Sequence, residues 1–140
     1  MTREQAEALV LRRQGAFDRL DAAALAADHA ADGVVESPAA GRVEGRAAIL
    51  DVYEAWFKAF PDLKFRHADF LLDGDRVALL ATVSGTNTSG FMGLAATGKR
   101  FQFPVVCVYT FNGNEIVHER RVYDFSGMLI QGGMLKAKPA

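Results

Sequence analysis

The sequence predicts an α+β domain, with helices first and an antiparallel sheet after them. Up to Phe60, apolar residues recur at helical spacing. After Pro61 the period changes to two, and Asp73-Gly74-Asp75 and Asn112-Gly113-Asn114 interrupt it as turns. Helical runs followed by strand runs place the helices together on one face of a sheet.

The elements follow in order. Ala6, Leu9, Val10, Arg13, Ala16, Phe17 and Leu20 mark a first helix over 3–20, with Arg13 on its apolar seam. Asp21 is placed to cap a second helix, 22–30. Gly33 breaks that pattern, and Val34 to Glu36 form a short strand ended by Pro38. A loop with Gly41 and Gly45 leads to a third helix over 46–60. Its wide apolar stripe is Ile49, Val52, Tyr53, Trp56, Phe57 and Phe60. Strands are expected at 65–72, 76–86, 101–111 and 115–125, with a Gly-rich loop over 87–99. From Gly127 a short helical turn precedes a polar stub that should fray.

The chain has 140 residues, half of them apolar, which suits a single domain over 1–140. The net charge of −1 gives no basic face for nucleic acid or an anionic membrane. Cys107 is the one cysteine, so an internal disulfide and a cysteine-based zinc site are excluded. His29, His67 and His118 are scattered, without a metal-binding spacing, so no metal site is expected. The charged start, MTREQAEALVLRR, lacks a leader's apolar core, and a cytoplasmic protein is expected. Val106 and Val108 alternate with Cys107 and Tyr109, so both faces of that strand are apolar. A homodimer through the outer sheet face would cover one of them.

Phe60-Pro61-Asp62-Leu63, "DGDRVALLATVSGT", "GFMGLAATGKRF" and "YTFNGNEIVHERRVYDFSGMLIQGG" occur together in this order. Jointly these segments resemble the SnoaL-like polyketide cyclase family. The family lies in the nuclear-transport-factor-2-like superfamily, alongside steroid isomerases. The resemblance implies a cone: N-terminal helices in the concave face of a strongly curved sheet, with a mostly apolar cavity. It also implies cofactor-independent aldol or proton-transfer chemistry on a small apolar carbonyl compound, with a carboxylate of the last strand as acid and base. The matching residue is Asp124. The family's "GTH" reads Gly85-Thr86-Asn87 here, and Arg120 stands where many relatives carry Trp. Ser37, Cys107 and Arg13 occupy the steroid isomerases' three key positions, so that chemistry is not expected.

Strand parity then assigns a site. In an unbroken strand 115–125, Ile116, His118, Arg120, Val122 and Asp124 share one face, and a bulge would swap part of this. Asp124 inward makes Arg120 and His118 inward too, as polarising or positioning partners, and leaves Glu119 and Arg121 to solvent or an interface. Asp124 could instead pair with Arg120 or cap the turn before Gly127. Arg13, Phe17, Tyr53, Trp56, Phe57, Phe65, His67, Asn87, Phe103, Cys107 and Tyr109 complete the expected binding surface. A binding protein without catalysis and a dimerising assembly module are the alternatives to an enzyme.

Overall fold

A computed structural model describes residues 1–136; the polar stub beyond Lys136 lies outside them. The order is α1 Arg3–Asp18, α2 Ala22–Ala27, β1 His29–Ser37, β2 Gly41–Glu44, α3 Arg46–Ala59, β3 Lys64–Asp73, β4 Arg76–Thr86, β5 Arg100–Asn112, β6 Glu115–Val122 and α4 Phe125–Gln131. The six strands form one sheet ordered β2-β1-β6-β5-β4-β3. It is antiparallel except where β1 runs parallel to β6.

Local chemistry explains the helix ends. Thr2 and Gln5 form a reciprocal capping box that satisfies two free N–H groups of α1. Asp21 Oδ1 accepts from the Ala24 N–H and starts α2, which stops at Ala27, short of the expected residue 30. His29 is thereby released into β1, which is longer than the expected Val34–Glu36. The presumed loop around Gly41 contains β2, hairpinned onto β1 with Val35 opposite Val43. Composition hid this strand, because Gly41-Arg42-Val43-Glu44 is short and mostly exposed.

Helices α1 and α3 fill the concave side. Ala6, Leu9, Val10, Ala16 and Phe17 of α1 are buried, and so are Ile49 and Tyr53 of α3. The meander supplies the opposite wall through Val77, Leu79, Ala81 and Val83 of β4 and Phe101 to Phe111 on alternate positions of β5. This confirms the period-two reading of both strands.

The last strand departs from the expected parity. Thr110 pairs with His118, yet Phe111 pairs with Ile116, so Val117 is an extra residue on β6. The neighbouring β1 register is irregular at the same level, between His29 and Val34. Gly33 lies there, and a Cβ on it would come within 3.1 Å of the Ile116 carbonyl oxygen. One inserted residue moves every later side chain to the opposite face. Ile116 points into the core, and after the bulge Glu119 and Arg121 point inward while His118 and Arg120 point out.

Candidate functional site

A small, mostly apolar cavity that opens to solvent lies between the helices and the sheet. Phe17 of α1 and Tyr53, Trp56 and Phe57 of α3 make one wall. Leu63, Phe65, Val83, Phe103, Val105 and Cys107 make the other. Glu119 and Arg121 of β6 and Tyr123 complete the lining. Helical spacing places Tyr53, Trp56 and Phe57 on the same side of α3, and strand alternation does the same for Phe103, Val105 and Cys107. Phe17 stacks on Phe65 with ring centroids 3.9 Å apart, tying α1 to β3 beside the cavity.

The polar part of the lining is an ion pair. Arg121 Nε donates to Glu119 Oε2 at 2.5 Å, and the two side chains are 13% and 1% exposed. Burial opposes the charge on Glu119, yet Arg121, with His29 and Arg13 beyond it, outweighs that and holds the carboxyl below its ordinary range. Arg121 also lies over the Tyr53 ring, its Cζ 4.8 Å from the centroid. Two ends of this pair remain open: Glu119 Oε1 and Arg121 Nη2 are buried without a hydrogen-bond partner.

Behind the pair is a further polar layer. Arg13 is 1% exposed and donates to the Leu25 carbonyl at 3.1 Å, Asp28 Oδ2 at 2.8 Å and Tyr53 Oη at 2.8 Å. Arg13 therefore cross-links α1, α2 and α3 behind the cavity rather than lining it. His29 is fully buried, with Nε2 3.4 Å from Glu119 Oε1. Burial, together with Arg13 and Arg121, lowers its pKa to about 4, so it is neutral near pH 7.

Of the expected binding residues, Phe17, Tyr53, Trp56, Phe57, Phe65, Phe103 and Cys107 do line the cavity. Cys107 is buried and its thiol is pushed up to about 12, chiefly by burial, so it acts as wall rather than nucleophile. Four others do not line it. Arg13 is the cross-link just described, and Tyr109 is buried beside it, 5.2 Å from the Arg13 Cζ at its ring centroid. His67 bonds through Nδ1 to Gln14 Oε1 at 2.8 Å, and a register shift in β3 separates its phase from that of Asp69. Asn87 is buried as a brace: its amide bonds Ala95, Thr97 and Gly132 and ties the Gly-rich loop to the end of α4.

The three expected catalytic residues are also elsewhere: the bulge at Val117 turns His118 and Arg120 outward, and the strand ends at Val122, before Asp124. His118 Nε2 lies 2.7 Å from Glu36 Oε2, with Arg120 Nε 3.8 Å from the same oxygen, on the outer side of the sheet. The His118 hydrogen bond, with Arg120 and Arg42 nearby, holds the Glu36 carboxyl below its ordinary range. Asp124 is exposed and caps α4, its Oδ1 accepting from the Gly127 N–H at 2.9 Å. The capping alternative for Asp124 is therefore the one observed. Asp124→Ala should destabilise the fold by about 1 kcal/mol and Asp124→Asn by a few tenths, since Asn caps nearly as well. Urea midpoints measure both, and an Asn variant as damaged as the Ala variant would contradict the capping role.

Unbroken parity puts Tyr123 on the same outward face as Glu119 and Arg121, whereas the structure turns all three to the cavity. The adjacent apolar pair Ile116-Val117 was the available signal, since two consecutive core-type residues break strict alternation.

A curved sheet wrapped around helices, with an apolar cavity and an ion pair in its lining, is the ketosteroid-isomerase-like or nuclear-transport-factor-2-like fold. The SnoaL-like polyketide cyclase family model matches residues 8–132, and the chain belongs to that family. The structure of AclR from Streptomyces galilaeus, a candidate hydroxylase, is 29% identical and superposes with a TM-score of 0.83, covering 99% of this chain and 91% of AclR. IdmH from Streptomyces antibioticus, a candidate polyketide cyclase, is 27% identical with a TM-score of 0.74, covering 89% of this chain and 95% of IdmH. A SnoaL-like protein from Jannaschia sp. CCS1 shares 20% identity, a TM-score of 0.80 and coverage of 97% and 94%, and so shares the fold. No curated protein sequence matches the chain. Family membership supports a small-molecule, cyclase-type role. Among the described residues, no helix is long and apolar enough to cross a membrane.

Proposed function

We propose that the chain is an acid–base enzyme of the cyclase or isomerase type, acting on a small, largely apolar carbonyl compound with its own side chains. The observation that carries this is the half-satisfied Glu119–Arg121 pair in an otherwise apolar cavity. Buried polar groups ordinarily find partners, and an open donor beside an open acceptor fits a ligand that supplies both complements.

The chemistry follows from the charges. A carbonyl oxygen bonds to Arg121 Nη2, and an acidic C–H of the adjacent carbon meets Glu119 Oε1. The proton passes from carbon to Glu119, and the C–H electron pair becomes the enolate. Arg121 then faces the enolate oxygen instead of a carboxylate, so its charge is freed as the oxyanion forms. Sharing the guanidinium also weakens the attraction that kept Glu119 acidic, which raises its basicity when it is needed. In a ring closure the enolate carbon attacks a second carbonyl of the same molecule, and the new alkoxide takes the proton back from Glu119. In an isomerisation the proton returns to a different carbon.

The test uses 2-tetralone, an apolar ketone with exchangeable α-protons. Its deuterium uptake in D2O is followed by NMR, and its binding through the fluorescence of Trp56, the one tryptophan, which lines the cavity. The expected result is uptake above the buffer rate that is lost in Glu119→Gln and reduced about 10²-fold in Arg121→Met, with circular dichroism verifying the fold. Binding without accelerated uptake in wild type would favour the non-catalytic binder. An absence of binding would remove the small-molecule reading for this probe class.

A homodimer through the outer sheet face belongs to the same proposal. Leu80 and Val122 are 39% and 55% exposed there, beside half-buried Val106 and Val108. The charged cluster of Glu36, Arg42, His118 and Arg120 carries both signs and suits a two-fold contact with a second copy. Sedimentation should show a dimer that Val122→Lys converts to monomer, and a wild-type monomer at all concentrations would end this reading.

A further inference from the structure

We propose that His29 is a positioning residue for Glu119: its imidazole Nε2–H holds the Oε1 end of the carboxylate and fixes the orientation from which that oxygen takes the substrate's proton. The inference deepens the proton-transfer reading above and rests on it for its catalytic consequence.

The geometry starts with the carboxylate. Glu119 Oε2 is already held by Arg121 Nε, whereas Oε1 has no hydrogen-bond partner. A carboxylate tethered at one oxygen can pivot about that contact. His29 Nε2 stands 3.4 Å from Oε1, short of bonding alignment but close enough for a small rotation to close it. Catalytic hydrogen bonds are often long in an empty site and tighten when it fills. Oε1 has two lone pairs, so a bond from His29 leaves one for the substrate C–H.

The position of His29 is set by the backbone. It opens β1, opposite Ile116 and just before the irregular register with β6, and its carbonyl accepts from Arg46 Nε at 2.9 Å. The bulge that turns Glu119 inward therefore lies beside the strand start that turns His29 toward it. Every titratable group near the imidazole is itself buried or paired. Arg13 comes from α1, Asp28 from the end of α2 and Tyr53 from α3, while Glu119 and Arg121 come from β6. Asp28 is shared by Arg13 and the exposed Arg12, and Glu119 is matched by Arg121, so no carboxylate is left over to balance a charged imidazole. A protonated one would add an uncompensated charge, and the depressed pKa agrees with the neutral form. Both ring nitrogens lack partners, so nothing else in the described residues claims Nε2.

The test has one arm without turnover and one with it. In wild-type protein with ¹⁵N-labelled histidine at pH 7, His29 should be neutral and protonated at Nε2. Its Nε2 shift should move in the doubly substituted Glu119→Gln/Arg121→Met protein, and a proton at Nδ1 would overturn the proposal. In the second arm, 2-tetralone exchange is measured against pH. His29→Met should slow exchange about tenfold, and the acid limb of its profile should rise by about one pH unit, because the carboxylate has lost a donor. His29→Gln places an amide N–H at a similar reach and should restore both to within about threefold of wild type. A folded His29→Met variant with wild-type rate and pH profile would overturn the proposal. If His29→Met does not fold, the His29→Gln profile and the tautomer decide. A wild type without exchange, but with the Nε2 tautomer and its dependence on Glu119, would discard the proton-transfer reading and leave the contact standing.

Discussion

Glu119→Gln should destabilise the protein by about 3–5 kcal/mol, a large share of a small domain's stability. The side chain is 1% exposed, and its charge is matched by Arg121, itself 13% exposed and held at 2.5 Å. Gln removes the negative charge and leaves the guanidinium in an apolar lining without a counter-ion. Water cannot repair this at low cost, because burial is what made the pair expensive to form. The cost should therefore depend on Arg121. Replacing both residues, Glu119→Gln with Arg121→Met, removes the uncompensated charge and puts an apolar side chain among Tyr53 and Phe57. The double variant should recover about 2 kcal/mol or more relative to Glu119→Gln alone. Urea midpoints at constant slope give both values. A loss below about 1 kcal/mol for the single variant, or simple additivity in the double, would mean that the pair contributes no more than an exposed one.

The second large effect is on acid stability. His29 has an ordinary pKa of 6.5 once unfolded and about 4 in the folded chain. Above 6.5 both states are neutral and the term contributes nothing further. Between 6.5 and 4 the unfolded chain binds a proton that the native state does not, so stability falls with pH. Across that window the loss is about 3 kcal/mol. Glu119 acts in the same direction, since its carboxyl is held below the ordinary range and its stabilisation is lost as pH falls through the folded value. Urea midpoints at pH 7.5, 6 and 5 should drop steadily in wild type, and His29→Gln should flatten the decline. An equally steep decline in that variant would assign the acid sensitivity to other groups.

Both effects arise at residues that strand parity placed poorly or left out. In the sequence His29 is one of three scattered histidines, inside an expected helix that in fact ends at Ala27. Unbroken parity puts Glu119 and Arg121 outside. By contrast, the helix wall of the cavity was legible: Phe17, Tyr53, Trp56 and Phe57 obey a helical period that no bulge disturbs. The same holds for Phe103 and Cys107, because β5 keeps an unbroken register with β4 from Arg100 to Thr110. Periodicity is reliable where the ladder is regular and loses its phase at the first irregularity.

The sequence by itself determined the α+β class, the change of period at Pro61, the two strong turns, the apolar character of the concave side and the resemblance to the SnoaL-like cyclases. These depend on local propensity and spacing, which each segment carries alone. The tertiary structure decided which charges of "HERRVYD" face the cavity. That outcome depends on one extra residue at Val117, accommodated by the parallel pairing with β1 and the close approach at Gly33. A bulge is a compromise between two strands distant in the chain, so neither strand announces it. Its position exchanged His118, Arg120 and Asp124 for Glu119 and Arg121.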